Sequence, residues 1–571
     1  MKESMKKLYG YLKKESVKLI VLIVFTLIMV ILTTYLPKLF TSAIDLMKDK
    51  EAVDINHVKS ILSKGLMLAI IAAILKWYTT NLSNKISINI ARDIRIQCFK
   101  KINNVKIKYL DTTPHGEIVD RIIGEVDQIS NGLFLALNQV FAGVFTVIFT
   151  IIFMLTINSK ISLIIIFLTP ISILITKLIS KRIESLFIEQ NKSKAKLTSF
   201  INEMTYNQKD SIAYNRQSKN IKKFNKLNVI SMSDQEKAVF YSSIINPTTR
   251  FINNLVYAIV VFVGAKYCLA GSLSIGGLAC LITYIFQYTK PFNEISSVYT
   301  EVVSALTCID RIEELLDEKE QKSNGTEELI STKGKITFEN VSFSYTKKPF
   351  IEDITININP GEKVALVGPT GCGKTTLINL LMRFYKNKEG SIYIDDKNIK
   401  NIKLDSLRTH IGLVTQDSWI LNGTIRDNLT IGNPKATDNQ ILDACKKTEI
   451  YTFIKRLPKG LDTEVSNTSG ILSEGIKQLI SITRVMISNP SILILDEATS
   501  SLDSATEQKV QNALELLMKN KTCFIVAHRL STIISCDKIY VMTKGRIVEH
   551  GTHKELIDLN GFYETLYSSQ Y

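Results

Sequence analysis

The sequence predicts a multidomain chain: an α-helical domain that crosses a membrane six times, followed by an α/β domain with a parallel sheet. Three observations predict it. Six apolar segments crowd the first half of the 571 residues, each long enough for the ~20 residues that a bilayer core requires. A stretch rich in Glu, Lys and Ser, 314–333, then breaks the pattern. Beyond it, short runs of buried-strand character alternate with helical periodicity, and one strand leads straight into a glycine-rich turn and a helix.

The spans are expected at 19–40, 58–80, 133–157, 161–179, 240–269 and 275–298, within a membrane domain of 19–313. The first follows a Lys-rich leader, 1–18. It is too long for the apolar region of a signal peptide, and no small-residue cleavage site follows Tyr35-Leu36-Pro37. Basic residues set the orientation. The leader and the stretches between spans two and three and between four and five are rich in Lys and Arg, whereas the opposite loops are poor in them. The N-terminus, both long loops and the α/β domain are therefore expected in the cytoplasm. Those long loops have few Gly or Pro and show apolar residues at three and four spacing over 92–105, 116–133, 187–206 and 220–230, and structureless loops of such length are rare. Spans two to five then continue as helices into the cytosol, with tips near 112–115 and 214–216.

Much of the net charge of +16, from 70 basic and 54 acidic residues, is accounted for by this topology. Nucleic acid becomes an unneeded partner. The eight cysteines form no CxxC pair and no His-Cys spacing that suggests zinc, so reduced thiols in a cytosol-facing protein are expected. The richness in Lys, Ile and Asn resembles proteins of AT-rich bacterial genomes and points to a bacterial plasma membrane.

In the α/β domain, 334–571, a first strand alternates at Ile336 and Phe338 and changes phase to Val341 and Phe343, which predicts a bulge. The buried strand Val364-Ala365-Leu366-Val367 then runs into Gly368-Pro369-Thr370-Gly371-Cys372-Gly373-Lys374-Thr375-Thr376 and a helix. This is the phosphate-loop pattern in its proper context. Glycines let backbone N–H groups turn toward phosphate oxygens, and the helix N-terminus adds partial positive charge. Lys374 is expected on the β- and γ-phosphates of ATP and the Thr375 hydroxyl on Mg2+. The Cys372 thiol, inside the loop, is open to alkylation. A second strand, 491–495, ends in Asp496-Glu497. Carboxylates at the end of a buried strand are costly unless they serve a cation or a reaction. Asp496 is expected to hold Mg2+ through water and Glu497 to be the general base for the attacking water. A third strand, 523–526, ends at Ala527-His528, and His528 is the candidate sensor of the γ-phosphate.

Together these residues resemble the ATP-binding cassette exporter family, over nearly the whole chain, as a half-transporter. The resemblance implies the exporter fold, an antiparallel β subdomain in the nucleotide domain, and ATP hydrolysis coupled to transport. It implies that Tyr345 stacks on adenine, that Gln416 links Mg2+ to the membrane domain, that His528 is the switch histidine, and that Asp503 belongs to the loop crossing between two nucleotide domains. It also implies coupling regions near 109–121 and 211–220.

One region departs from the family. The signature that usually reads Leu-Ser-Gly-Gly-Gln is here Leu472-Ser473-Glu474-Gly475-Ile476, and Asn467 stands upstream where an acidic residue is usual. Ser473 and Gly475 still offer a hydroxyl and a backbone donor, but Ile476 cannot hydrogen-bond. The family sandwiches each ATP between one subunit's phosphate loop and the other's signature. A heterodimer follows, with a partner that has an intact signature and lacks the catalytic glutamate; an active homodimer is the alternative. The expected cargo is an amphipathic small molecule, drug, lipid or peptide. Lipid flipping and import of a metal chelate remain open within the same fold. Arg250, Asn253, Asn254, Gln287, Lys290, Asn293 and Glu294 lie in or near spans five and six, but snorkelling or cytosolic placement explains them equally well, so no substrate follows. The chain starts close to its first span, which disfavours a leader-peptide-processing exporter. An ATP-gated channel is disfavoured by Glu497 and His528, since gating needs no general base. A soluble nucleic-acid ATPase is disfavoured by the spans.

Overall fold

The computed structural model describes the backbone of residues 2–47, 55–321, 325–346, 348–416, 418–467, 470–496, 503–526 and 530–569. Side chains are described for all of these except 2–4, 170–184, 245, 246, 249, 293, 295–297, 300, 504, 530 and 531. The chain divides into two compact units. One holds 1–103 and 114–318, the other 104–113 and 319–571.

The first unit is all-helical. Helix α1 spans Lys2–Lys14, α2 Ser16–Leu46 and α3 Ile55–Asn104. The short α4, Ile107–Thr112, belongs to the second unit. After it come α5, His115–Ile122, and α6, Gly124–Leu135. A five-residue π-helical turn, Ala136–Val140, joins α6 to α7, Phe141–Ile157. Then follow α8, Ser159–Tyr206, α9, Gln208–Ala213, α10, Gln217–Leu269, and α11, Ile275–Asp317. Among the described residues, Ser16–Leu46, Ile55–Asn104, His115–Ile157 and Arg250–Leu269 are long and apolar enough to cross a membrane. The fourth expected span runs into side chains outside the described set, and on α11 a mixed polar sequence dilutes the sixth. Helices α3, α8 and α10 run far beyond any bilayer thickness, as the periodicity of their polar halves predicts.

Large apolar side chains such as Ile70, Ile74, Trp77, Ile148, Ile152 and Phe262 are exposed along these helices. A soluble protein would bury them; a lipid-facing surface does not have to. Helix α11 packs on α2, α6 and α7. The close approach of α6 and α11 depends on Gly132, where a Cβ would sit 2.6 Å from the Ala305 Cβ and 2.9 Å from the Glu301 carbonyl. Polar links fix the same pair: Gln128 donates to Glu301 at 2.7 Å, and Arg311 pairs with Glu125 at 2.9 Å.

The second unit contains twelve strands among its described residues. They are β1 Ile336–Phe343, β2 Ile351–Ile358, β3 Lys363–Val367, β4 Glu389–Ile394, β5 Lys397–Asn398, β6 Ile411–Val414, β7 Gly423–Thr424, β8 Glu464–Val465, β9 Ile492–Asp496, β10 Thr522–Val526, β11 Lys538–Thr543 and β12 Arg546–Gly551. A six-stranded sheet has the order β12-β11-β3-β10-β9-β6 and is parallel except for β12. An antiparallel sheet, β2-β1-β4-β5, forms the subdomain that the family resemblance implies. The phase change in β1 is a bulge: its register with β2 shifts between Phe338 and Val341.

Alternation explains how the parallel sheet is covered. Ala365, Val367, Leu493, Leu495, Cys523 and Ile525 face one core with the helices. Their neighbours Val364, Leu366, Ile492, Ile494, Phe524 and Val526 face a second core shared with β1 and β2. Both faces are dry, so these strands read as continuous apolar runs rather than alternating ones. The expected linker, 314–333, contains the boundary between the two units. Helix α11 continues to Asp317, because Ile312 and Leu315 are buried, and Leu329 is buried in the second core.

Candidate nucleotide site

Strand β3 lies inside the parallel sheet, and its C-terminal end delivers the chain to the glycine-rich loop. Two glycines there are obligatory. Gly368 has φ +156°, and a Cβ on it would meet the Met542 carbonyl oxygen at 2.0 Å; Gly373 has φ +112° and the Met542 Cε at 2.9 Å. Gly371 shares the positive φ. Helix α12, Lys374–Leu381, starts at once, so its free N–H groups open into the loop. The Lys374 ammonium bends back over the loop and donates to the carbonyls of Gly368, at 2.6 Å, and Pro369, at 3.3 Å. That posture sets its charge across the mouth of the cradle. The Thr375 hydroxyl is on an exposed residue, whereas Thr376 is buried. Cys372 is also buried, and burial pushes its thiol up from the ordinary value, against the opposing pull of Lys374. The expectation of an alkylation-prone thiol is weakened on both counts.

Register gathers the remaining candidates at one edge. Leu366 pairs with Val526, Val526 with Asp496, and Leu495 with Val414. The loop after β3, Asp496 at the end of β9 and Gln416 just past β6 therefore leave the same carboxyl edge of the sheet, where parallel α/β sheets bind ligands. Gln416 is exposed. Glu497 and His528 follow β9 and β10 in the chain and lie outside the described residues.

Tyr345 is 38% exposed and forms part of an aromatic cluster. Its ring is edge-on to Phe343, Phe350 and Tyr385, with centroids 4.8, 5.5 and 5.1 Å away. Its hydroxyl shares a 3.0 Å hydrogen bond with the Thr376 hydroxyl, which ties the aromatic expected under adenine to the first turn of α12. The sequence reading overlooked Tyr385. Its hydroxyl donates to the Asp111 carboxylate of α4 at 2.5 Å. Burial, followed by that carboxylate, pushes the phenol far up, so it stays a donor. Asp111 lies within the first coupling region, 109–121, that the resemblance implies; its partner, 274 residues away, has no local signal.

The signature stretch forms the N-terminus of a 15-residue helix, Glu474–Ser488. Ser473 caps it, accepting from the Ile476 N–H at 3.4 Å. Gly475 is buried. Ile476 is half-buried against the core that contains Leu479 and Ile480, so the unusual side chain is accommodated by packing. Glu474 is the one acidic group in the first turn, and it pairs with Lys477 at 2.7 Å with its own side chain 62% exposed. Its carboxylate suits the helix dipole and opposes a phosphate at the same place. Asp503 caps the helix Ser504–Met518 through the Thr506 N–H at 2.9 Å. That bond to the backbone lowers its carboxyl below the ordinary range, and it gives Asp503 a structural task beside the expected one.

Two family profiles match. The profile for the ABC transporter transmembrane region covers 19–292, and the ABC transporter profile covers 351–500. A fatty acid ABC transporter ATP-binding/permease protein of Mycobacterium tuberculosis is 35% identical over 515 residues, 90% of this chain and 82% of that one. The chain belongs to the ABC exporter family. Other relatives are an uncharacterized ABC transporter ATP-binding protein, YfiC, of Bacillus subtilis, 34% identical over 100% of this chain and 94% of its own, and a putative multidrug export ATP-binding/permease protein of Staphylococcus aureus, 34% identical over 84% and 83%. Among solved structures, a bacterial Atm1-family ABC exporter with ATP bound superposes with a TM-score of 0.80 at 25% identity, covering 98% of both chains. This ABC exporter is thus a multi-pass membrane protein with a cytoplasmic ATPase domain, a half-transporter that works as a dimer, and its ATP hydrolysis drives transport.

Proposed function

We propose that this chain is one half of a heterodimeric exporter of amphipathic molecules, supplying the competent hydrolytic residues to an ATP site whose signature comes from a different subunit. The observation that carries this reading is the contrast between a complete phosphate-loop side and a signature helix with Glu474 and Ile476 in its first turn. In the working site, loop N–H groups and Lys374 cradle the β- and γ-phosphates, Tyr345 supports the base, Glu497 takes a proton from the attacking water, and His528 contacts the γ-phosphate. The exposed Thr375 hydroxyl, Asp496 and Gln416 are hard oxygen donors leaving one sheet edge, a set that fits Mg2+. When bound, Mg2+ would neutralise charge on the phosphates. In the second site, formed with this chain's own signature, Glu474 repels the γ-phosphate and nucleotide is held with little turnover.

The closing of two nucleotide domains on ATP turns the membrane cavity outward, and hydrolysis resets it. The names of the relatives, fatty acid transport and multidrug export, support an amphipathic cargo. The test is the Mg-ATPase activity of this chain alone in lipid, with Glu497→Gln as blank. Activity at the blank level, restored by a co-expressed half-transporter with an intact signature, is expected. Turnover well above the blank, on the order of 1 s⁻¹, would remove the heterodimer and leave an active homodimer.

A further inference from the structure

Helix α11 carries a polar stripe through a membrane span. Thr283, Gln287, Lys290 and Glu294 recur at helical spacing and so share one face. The outer part of this stripe lines a cavity of about 400 Å³ between α2 and α11, together with Thr33, Leu36, Pro37 and Phe40. That volume is within the ~300–1,000 Å³ of small-molecule sites. The walls are mostly apolar, and the Gln287 Oε1 is buried there without a hydrogen-bond partner. A buried amide oxygen left unpaired is uncommon and costly.

The inner part meets a second group of polar side chains. Lys76 lies within the apolar stretch of α3, and its ammonium donates to the Asn138 Oδ1 at 3.1 Å; the Thr80 hydroxyl donates to the same oxygen at 3.4 Å. Asn138 belongs to the π-helical turn Ala136–Val140, a local widening that recurs at functional sites. Because its oxygen accepts both bonds, its amide N–H groups point elsewhere. Lys290 and Glu294 are the charged groups within electrostatic reach of Lys76. They pair with each other at 3.8 Å, and the Lys290 side chain is 75% exposed. Among the described residues no carboxylate forms a salt bridge with Lys76; Glu294 acts on it only from a distance, and Lys76, Lys290 and Glu294 together carry one net positive charge. All three polar groups lie toward the cytoplasmic ends of their spans, and the apolar cavity lies further out.

We propose that Lys76, Asn138 and Lys290 bind the anionic head of a single-tailed acidic amphipath, whose tail occupies the apolar cavity between α2 and α11. An ammonium inside an apolar span persists where it meets a counter-charge or water; among the described residues Glu294 is shared between Lys290 and Lys76, and a carboxylate or phosphate head adds the second counter-charge. The tail then points away from the cytoplasm, the direction in which an exporter moves its cargo. The identification of the ligand as cargo rests on the exporter reading above; the site itself does not.

The test uses the full chain in discs of zwitterionic lipid without nucleotide, and radiolabelled oleate in a proximity assay at about pH 8, where a carboxylate is ionised. Oleoyl lysophosphatidate is expected to displace oleate, whereas oleyl alcohol and acetate compete at least about tenfold more weakly. Lys76→Gln is expected to weaken oleate about tenfold while leaving the weak binding of oleyl alcohol unchanged, and Lys76→Arg to restore oleate. Equal competition by oleyl alcohol, or full oleate affinity in Lys76→Gln, overturns the site. Displacement by lysophosphatidate but not by excess unlabelled oleate overturns it too. Binding needs no hydrolysis, so if this chain holds oleate while the ATPase of the assembled transporter ignores it, the site stands and the cargo assignment falls.

Discussion

The phosphate loop and the signature helix are both helix N-termini, and they differ in everything placed around the free N–H groups. At α12 the preceding loop has three glycines with positive φ, a lysine across its mouth and no acidic residue in the first turn. At Glu474–Ser488 a serine already occupies the Ile476 N–H and a glutamate sits in the first turn. The same backbone dipole is thus directed at an anion in one place and partly satisfied by the protein itself in the other. A helix terminus alone does not make a phosphate site; the loop that presents it does.

The largest effect expected is from Lys374→Ala. Loss of its charge should cut ATP hydrolysis of the assembled transporter by about a hundredfold or more, read as phosphate release. If activity survived, the contrast between the two termini would lose its functional meaning. Glu474→Gly together with Ile476→Gln should move the weaker terminus toward the stronger one. Hydrolysis by this chain alone should rise about tenfold, which corresponds to about 1.4 kcal/mol; no rise would locate the deficiency elsewhere. Tyr385→Phe should lower the unfolding free energy of the nucleotide unit by about 1 kcal/mol through loss of the bond to Asp111, measured by denaturant titration, with hydrolysis less affected than in the first two cases. The smallest effect concerns Cys372. Burial raises its thiol, so at pH 7.5 its thiolate fraction lies below that of an ordinary thiol. Alkylation by maleimide should be slower than at Cys268, which is only half-buried, and should accelerate as pH rises toward the shifted value.

Most of the architecture was legible because it is written locally. The apolar runs of α2 and α7, the loop after β3 and the bulge in β1 each announce themselves within a dozen residues. So did the carboxyl-edge candidates, since Asp496 terminates an apolar strand. What remained illegible is non-local or lacks a marker. The π-helical turn at Ala136–Val140 contains neither Gly nor Pro. Lys76 lies inside an otherwise apolar run and looks like any snorkelling lysine until Asn138 is placed beside it. The Tyr385–Asp111 bond joins residues whose separation in sequence hides it. Ile476 reads as a lost hydrogen bond in the sequence and as core packing in the fold, and both descriptions hold, because one concerns the ligand and the other the helix.

The membership of 104–113 in the nucleotide-binding unit has a consequence for biosynthesis. About 200 residues of chain separate this segment from the rest of its unit. At ~5–20 residues per second, the ribosome needs roughly 10–40 s to bridge that gap. During this interval the membrane helices are already being inserted while α4 waits in the cytosol without Tyr385. The unit can close only after both of its pieces have emerged, so completion of the ATPase domain is delayed until the membrane domain has been made.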